Sequence, residues 1–419
     1  MTFFALFSLA FFMAVIWLRP RDYGGAYTAY FNGLNGQLKQ VGSGAPRMIL
    51  DLDCLDHNLE LVKSYSDEIK PVRLVVKSLA SLPLLDYCMT RLNSGRLMVF
   101  DVSFLEQVIK KWPGVHVLLG KPIPIRAMAK VYRGLPGHDL ANVVWLVDSL
   151  PRFRQISELA SELNKNISVA IEIDIGLRRG GVESMVDFAE LVRTVKSCNH
   201  CQLRGLMGYD PHLAKIPLWL GRARLISKSQ GLYQEFVDTL DHEWPEVRGS
   251  EFILNGAGSP TFRLHGLESP LNEVSVGSAL LKPADFDLPI LADFRPALFI
   301  ASPVLKKGIG PKVPLLEAWK KPWGWWNPNR CQTFFIYGGY WKAVTENPPG
   351  MTLNPLYGRS SNQELLSASF KVKLDVDDHV FLKPTQSEAV LGQLGALMTY
   401  RKEGILGDWQ VMNHLYKNP

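Results

Sequence analysis

Cysteine is scarce in this chain: five residues, Cys54, Cys88, Cys198, Cys201 and Cys331, are spread over 419 positions. An odd, scattered set excludes a disulfide framework and suits a reducing compartment. Cys198-Asn199-His200-Cys201 has half the spacing of a zinc knuckle, but no second Cys or His pair follows, so no zinc site is expected there. Charge of one sign is also lacking. Lys and Arg number 46 against 40 Asp and Glu, a net charge of +6, and no compact basic block calls for nucleic acid. Low-complexity character is absent too, since 47% of residues are hydrophobic, as in a folded chain.

One uncharged run stands apart. Thr2 to Leu18 is rich in Phe, Leu, Ala and Val, and Arg19-Pro20-Arg21 follows at once. It is slightly shorter than the ~20 residues that cross a bilayer, yet within the usual range. A signal peptide would carry its positive charge before the apolar run and small residues at its end, whereas here bulky Trp17-Leu18 closes it. The expectation is a single N-terminal transmembrane anchor over 1–18, with the body facing the cytoplasm by the positive-inside rule.

Residues 19–45, with glycines among Tyr and Asn, read as a linker. Beyond them short apolar runs alternate with helical stretches, the pattern of βα units. Strands are expected near 47–53, 72–78, 96–101, 116–120, 143–148, 168–174, 203–208 and 252–255. Eight such runs predict an α/β fold, a (β/α)8 TIM-type barrel over 46–295. Leu55, Leu59, Val62 and Tyr65 form one apolar stripe of an intervening helix. From Pro296 the alternation fades, and runs at 298–300, 333–337, 368–372 and 379–382 predict a mainly β C-terminal domain over 296–419. A Trp-rich insert near 305–330 holds Trp319, Trp323, Trp325 and Trp326 beside Lys320 and Lys321, as a packed surface loop or as a foot at the membrane interface.

Lys77 closes the apolar run Val72–Ser78 and brings one primary amine to the rim of a parallel sheet, a natural place for a Schiff-base lysine. Ile171-Glu172-Ile173-Asp174-Ile175-Gly176-Leu177-Arg178-Arg179 sets two carboxylates at a strand end and two arginines in a Gly-rich turn. Charges there must pair with one another or with a ligand. Asn255-Gly256-Ala257-Gly258-Ser259 and Gly277-Ser278 supply two glycine turns with hydroxyls, suited to phosphate near the end of a barrel.

The ordered series of these motifs resembles fold-type III pyridoxal-phosphate enzymes, with the alanine racemase type of barrel, and within them the D-threonine aldolase and D-serine dehydratase branch. It runs from Ile49–Asp53 and Asn58 through Arg73 and Lys77, Glu172–Gly176 with Arg179, Gly205-Leu206 with Tyr209 and His212, and Gly256–Thr261, to Glu273 with Gly277-Ser278. The resemblance implies pyridoxal 5'-phosphate, held as an internal aldimine at Lys77. It also implies Lys77, Tyr209 and His212 as catalytic residues, Arg179 near the ring, Tyr209 against ring or substrate, and a phosphate cradle of Asn255, Gly256, Gly258, Ser259, Gly277 and Ser278. The implied activity is an aldolase or dehydratase acting at Cα and Cβ of a D-amino acid or 3-hydroxy amino acid. Alternatives are an amino-acid racemase, with Tyr337 or Tyr340 as second base, and a non-catalytic cofactor-binding or membrane interaction module. A homodimer is implied as well. The branch holds a divalent metal with a His and a Cys or Asp after a proline. Here that stretch reads Pro384-Thr385-Gln386-Ser387-Glu388, in which Gln386 is a poor ligand and Glu388 alone cannot build a site.

Overall fold

The computed structural model describes residues 13, 17–310, 325–355 and 357–413, apart from the side chain of Leu218. The chain divides into two compact units.

The larger unit runs from Asp51 to Ala297 and adds Gln386–Gly395 and the described residues after Gly407. Its centre is a closed barrel of eight parallel strands. These are β2 (Val72–Val75), β3 (Arg96–Val99), β4 (His116–Leu119), β5 (Val143–Val147), β6 (Ile167–Ile173), β7 (Cys201–Gly208), β8 (Ile253–Gly256) and β9 (Glu273–Val276). Closure is made by β9 on β2, Val72 opposite Val274 and Leu74 opposite Val276.

The expected eight strands are corrected at both ends. The 47–53 run is not in the barrel: β1 (Arg47–Asp51) pairs antiparallel with β10 (Leu298–Ile309), Ile49 opposite Phe299. The eighth barrel strand is β9, read from sequence as a turn. Glu273-Val274-Ser275-Val276 is only four residues long, with polar groups facing the barrel interior, so its apolar signal is weak. The helix that follows β1 (Leu52–Glu68) buries the expected stripe of Leu55, Leu59 and Val62, and Asp51 caps it through a 2.8 Å bond from Cys54 N.

The smaller unit holds the described residues up to Leu50, Leu298–Thr385 and Ala396–Gly407. It is built on a nine-stranded sheet of mostly antiparallel pairs, in the order β13 (Thr352–Leu353), β14 (Gln363–Ala368), β11 (Gln332–Tyr337), β10, β1, β16 (Ala396–Arg401), β17 (Gly404–Gln410). Two further strands, β12 (Ala343–Asn347) and β15 (His379–Pro384), pair with each other, and β15 also pairs with β10. The expected run at 368–372 is largely a turn after β14. Within the segment read as a linker, Ala29–Val41 is a helix whose Phe31, Leu34 and Leu38 pack with Phe299, Phe381 and Tyr400. Glycines at 33 and 36 sit on that helix in open space, which is why they read as a connector.

The membrane expectation is corrected. Among the described residues no helix is long and apolar enough to cross a membrane. Most of the 1–18 run lies outside the described residues, as do Trp319 and Trp323 of the Trp-rich insert, while Trp325 and Trp326 are exposed.

Candidate active site

At the carboxyl-terminal rim of the barrel a cavity of about 250 Å³ is lined by Lys77, Ser78, Phe100, Arg179, Tyr209, Asn255, Gly258, Ser259, Gly277, Ser278, Gln386 and Glu388, among others. The rim is where barrels place their chemistry, because eight independent loops meet there. β2 ends at Val75, and Lys77 sits in the single 3-10 turn that follows. Its Nζ lies 4.4 Å from the Phe100 ring centroid and 3.9 Å from Glu388 Oε1. Burial lowers the Lys77 pKa; Glu388 opposes that shift, and the Arg179 and Lys121 charges add to it. A lysine so placed holds a larger share of its free amine at neutral pH than a surface lysine does.

The wall is formed by Arg179, whose guanidinium stacks 5.0 Å from the Tyr209 ring centroid. Burial raises the Tyr209 pKa; the Arg179 charge opposes this, and Asp210 and Glu388 add to it. Tyr209 packs so closely on the β8 turn that a Cβ on Gly258 would stand 2.7 Å from its Cε2. Gly277 is equally confined, since its Cβ would fall 2.8 Å from Val75 Cβ. These two glycines let backbone approach the cavity where any side chain would block it.

The turns are locked from behind. Ser259 Oγ accepts from Gly277 N at 3.1 Å and Ala279 N at 2.9 Å, and Ser278 Oγ donates to Ser78 Oγ at 2.9 Å. Thr261 Oγ1 donates to Asp210 Oδ1 at 2.6 Å while accepting from Gly258 N at 3.2 Å. His265 Nε2 bonds Asp210 Oδ2 at 2.7 Å. Asp210 and His265 had no signal in the sequence beyond being polar in turns, yet they tie the Tyr209 loop to the Gly258 turn. Asn255 donates to Glu273 Oε1 at 2.8 Å and accepts from Ser275 at 3.1 Å, which fixes its amide at the cavity floor.

Most of the sequence candidates therefore converge; Gly256, His212, Tyr337 and Tyr340 do not. Gly256 is buried in β8 against Leu271 and is not among the cavity-lining residues, so its role is close strand packing. His212 lies in a different cleft, with Asp174 and Lys228. Tyr337 and Tyr340 belong to the smaller unit, where both are exposed. His379 is buried in β15, with Nδ1 3.0 Å from Asn35 Oδ1 and its pKa pushed down to about 4 mainly by burial.

The residues fit an anionic, aldehyde-bearing cofactor. An amine with lowered pKa, a cation stacked on an aromatic ring, and a hydroxyl-rich double glycine turn share one cavity, and Glu388 is the single carboxylate among its lining residues. They do not fit a divalent metal. Gln386 Nε2 donates to Asp285 Oδ2 at 2.9 Å, Glu388 faces Lys77, and among the described residues no group of three or more His, Cys, Asp or Glu could hold a metal ion.

Fold and cavity together define a lysine-bearing barrel joined to a mainly β unit. Residues 50–284 match the family described as alanine racemase, N-terminal domain, and the chain belongs to that family. A curated relative, 3-hydroxy-D-aspartate aldolase of Paracoccus denitrificans (strain Pd 1222), is 22% identical over 146 residues. That alignment covers 35% of this chain and 37% of the relative, so the chain spans little more than a third of its length. Among solved structures, D-threonine aldolase from Filomicrobium marinum aligns with TM-score 0.70 and 20% identity over 90% of this chain and 96% of that one. D-threo-3-hydroxyaspartate dehydratase from Delftia sp. HT23 gives TM-score 0.68 and 15% identity over 90% and 99%. Alanine racemase from Bacillus anthracis gives 0.65 and 12% over 87% and 97%. At these identities the likeness shows the fold.

Proposed function

We propose that the protein is a pyridoxal-phosphate-dependent lyase acting at Cα and Cβ of a D-amino acid or 3-hydroxy amino acid, of aldolase or dehydratase type. The observation that carries this reading is the half-buried Lys77 amine, its pKa lowered by burial, in one cavity with Arg179, Tyr209 and the Gly258 and Gly277 turns. Names of the relatives, an aldolase and a dehydratase of 3-hydroxy-D-amino acids among them, support the substrate class.

Lys77 would be the covalent anchor; Ser259, Ser278 and the amides of their turns would hold the phosphate; Arg179 and Tyr209 would flank the ring. When bound, the cofactor supplies an electron sink for bonds at Cα. The rest falls to the chain. Arg179 keeps positive charge beside the ring position and orients it against Tyr209. Lys77 and Glu388, 3.9 Å apart, form an amine and carboxylate pair that takes and returns a proton on one face of the substrate. Phe100 gives the amine an apolar, cation-binding neighbour. A homodimer and a free amino acid as substrate belong to the same proposal.

The test is the visible spectrum of purified protein supplied with pyridoxal phosphate, before and after borohydride, beside Lys77→Ala. An absorbance band that borohydride locks onto the Lys77 peptide supports the reading. Release of glycine and an aldehyde, or of ammonia and a keto acid, from 3-hydroxy-D-aspartate or D-threonine then separates aldolase from dehydratase. A protein that takes up no pyridoxal phosphate overturns it.

A further inference from the structure

A second cleft, about 460 Å³, lies on the same barrel unit between the turn after β6, the turn after β7 and the helix Arg222–Glu243. Asp174 and His212 line it, and each has one buried polar atom without a hydrogen-bond partner: Asp174 Oδ2 and His212 Nδ1. Asp174 is only 9% exposed. Its other oxygen is occupied, since Oδ1 accepts from Gly176 N at 2.7 Å and Arg178 N at 3.2 Å. The turn thus fixes the carboxylate and leaves Oδ2 over. A buried carboxylate oxygen with no donor is costly, so it marks a place for a donor the chain itself does not supply.

The rest of the cleft describes that donor. Ile175, Ile216, Leu225 and Leu232 give aliphatic walls, and Arg178 and Lys228 are exposed at the mouth beside Glu183. An acceptor on the floor, an apolar wall and two cations at the mouth complement an ammonium, an aliphatic stem and a carboxylate. The cleft also shares its two loops with the Lys77 cavity. Arg178 lines the cleft and Arg179 the cavity; His212 lines the cleft and Tyr209 the cavity.

We propose that this cleft is a second small-molecule site that takes an aliphatic amino acid, ammonium toward Asp174 and His212 and carboxylate toward Arg178 and Lys228. The site goes beyond the catalytic reading and stands without it.

Isothermal titration of the full chain with D- and L-leucine, isoamylamine and isocaproate tests it. Leucine of one hand binds wild type and Lys77→Ala alike. Asp174→Asn, whose remaining oxygen can still accept from Gly176 and Arg178, weakens that binding about tenfold or more. Lys228→Ala, an exposed change, weakens leucine and leaves isoamylamine unchanged. Binding lost in Lys77→Ala but kept in Asp174→Asn assigns the heat to the catalytic cavity and overturns the proposal. So does isocaproate binding as well as leucine, which would mean a plain anion site. No heat with any of the four means that the cleft holds only water, and overturns it equally.

Discussion

At the amino-terminal end of the barrel, Arg73 meets Glu273 through bonds of 2.6 and 2.9 Å, and both side chains are almost wholly buried. Arg73 also donates to the carbonyls of Leu97 and His116, while Arg96 adds a third contact to Glu273 at 3.3 Å. At the carboxyl-terminal rim of the same barrel, Lys77 and Glu388 are also of opposite charge, but they stand 3.9 Å apart in a cavity and neither is fully buried. The first pair leaves little capacity for anything else to bond. The second leaves an amine and a carboxylate lining the cavity. Opposite charges in a barrel interior thus do structural or chemical work according to how completely they satisfy each other. The Glu273 carboxyl is held below its ordinary range in spite of its burial, by the charge and hydrogen bonds of Arg73, whereas burial wins at Lys77 and pulls its pKa down.

The comparison breaks if removing the rim charge costs stability or removing the buried one does not. Lys77→Ala is expected to abolish borohydride-fixable cofactor and to cut lyase turnover by about 10³-fold or more, while urea unfolding moves by less than about 1 kcal/mol. Glu273→Gln has the opposite signature. It strands Arg73 without its charge partner, and urea unfolding is expected to fall by about 3–5 kcal/mol, with turnover per folded molecule far less affected. A Lys77→Ala protein that unfolds as readily as Glu273→Gln would sink the distinction.

A steric change sharpens it further. Gly258→Ala puts a methyl 2.7 Å from Tyr209 Cε2, so the ring stacked against Arg179 must shift. Displacement of this size at a positioned group costs about 10- to 100-fold in kcat/KM. Steady-state kinetics on a 3-hydroxy-D-amino acid checks it, and the same substitution at Gly36, which lies in open space on the exposed side of the helix Ala29–Val41, is expected to leave kinetics alone.

The same contrast explains what could be read from sequence. Lys77, Arg179, Tyr209 and the glycine turns were legible because each lies next to a recognisable strand end, and strand ends converge in a barrel. β1 was placed in the wrong sheet because Met48-Ile49-Leu50 is fully apolar and buried, and an apolar run carries no sign of which sheet buries it. β9 was missed for the converse reason: Glu273 and Ser275 are polar, and only the contacts to Arg73 and Asn255 make them interior residues. His212 was expected in the site from the family resemblance, but the 3-10 turn Pro211–Lys215 carries it into the neighbouring cleft. The lock of Asp210, Thr261 and His265 spans 55 residues and has no local pattern to betray it.

The smallest effect concerns Glu172, at the end of β6. Its pKa is pushed up to about 7, first by burial and then by the Asp148 charge, with Arg179 pulling the other way. A carboxyl raised above its unfolded value of about 4.5 binds a proton more tightly in the folded state. Its contribution to stability is therefore present below that unfolded value and is lost as pH rises through about 7. Glu172→Gln keeps the neutral form at every pH. Relative to wild type it is expected to be near neutral at pH 4.5 and stabilising by roughly 1 kcal/mol at pH 8, after discounting for solvent screening at a half-buried group. Urea unfolding of both proteins at half-unit steps from pH 4.5 to 8 measures the difference. A flat difference would mean that folding leaves the Glu172 pKa unmoved, with the Arg179 charge offsetting burial and Asp148. A rising one leaves Arg179 to the cavity at low pH and draws it toward Glu172 above neutrality.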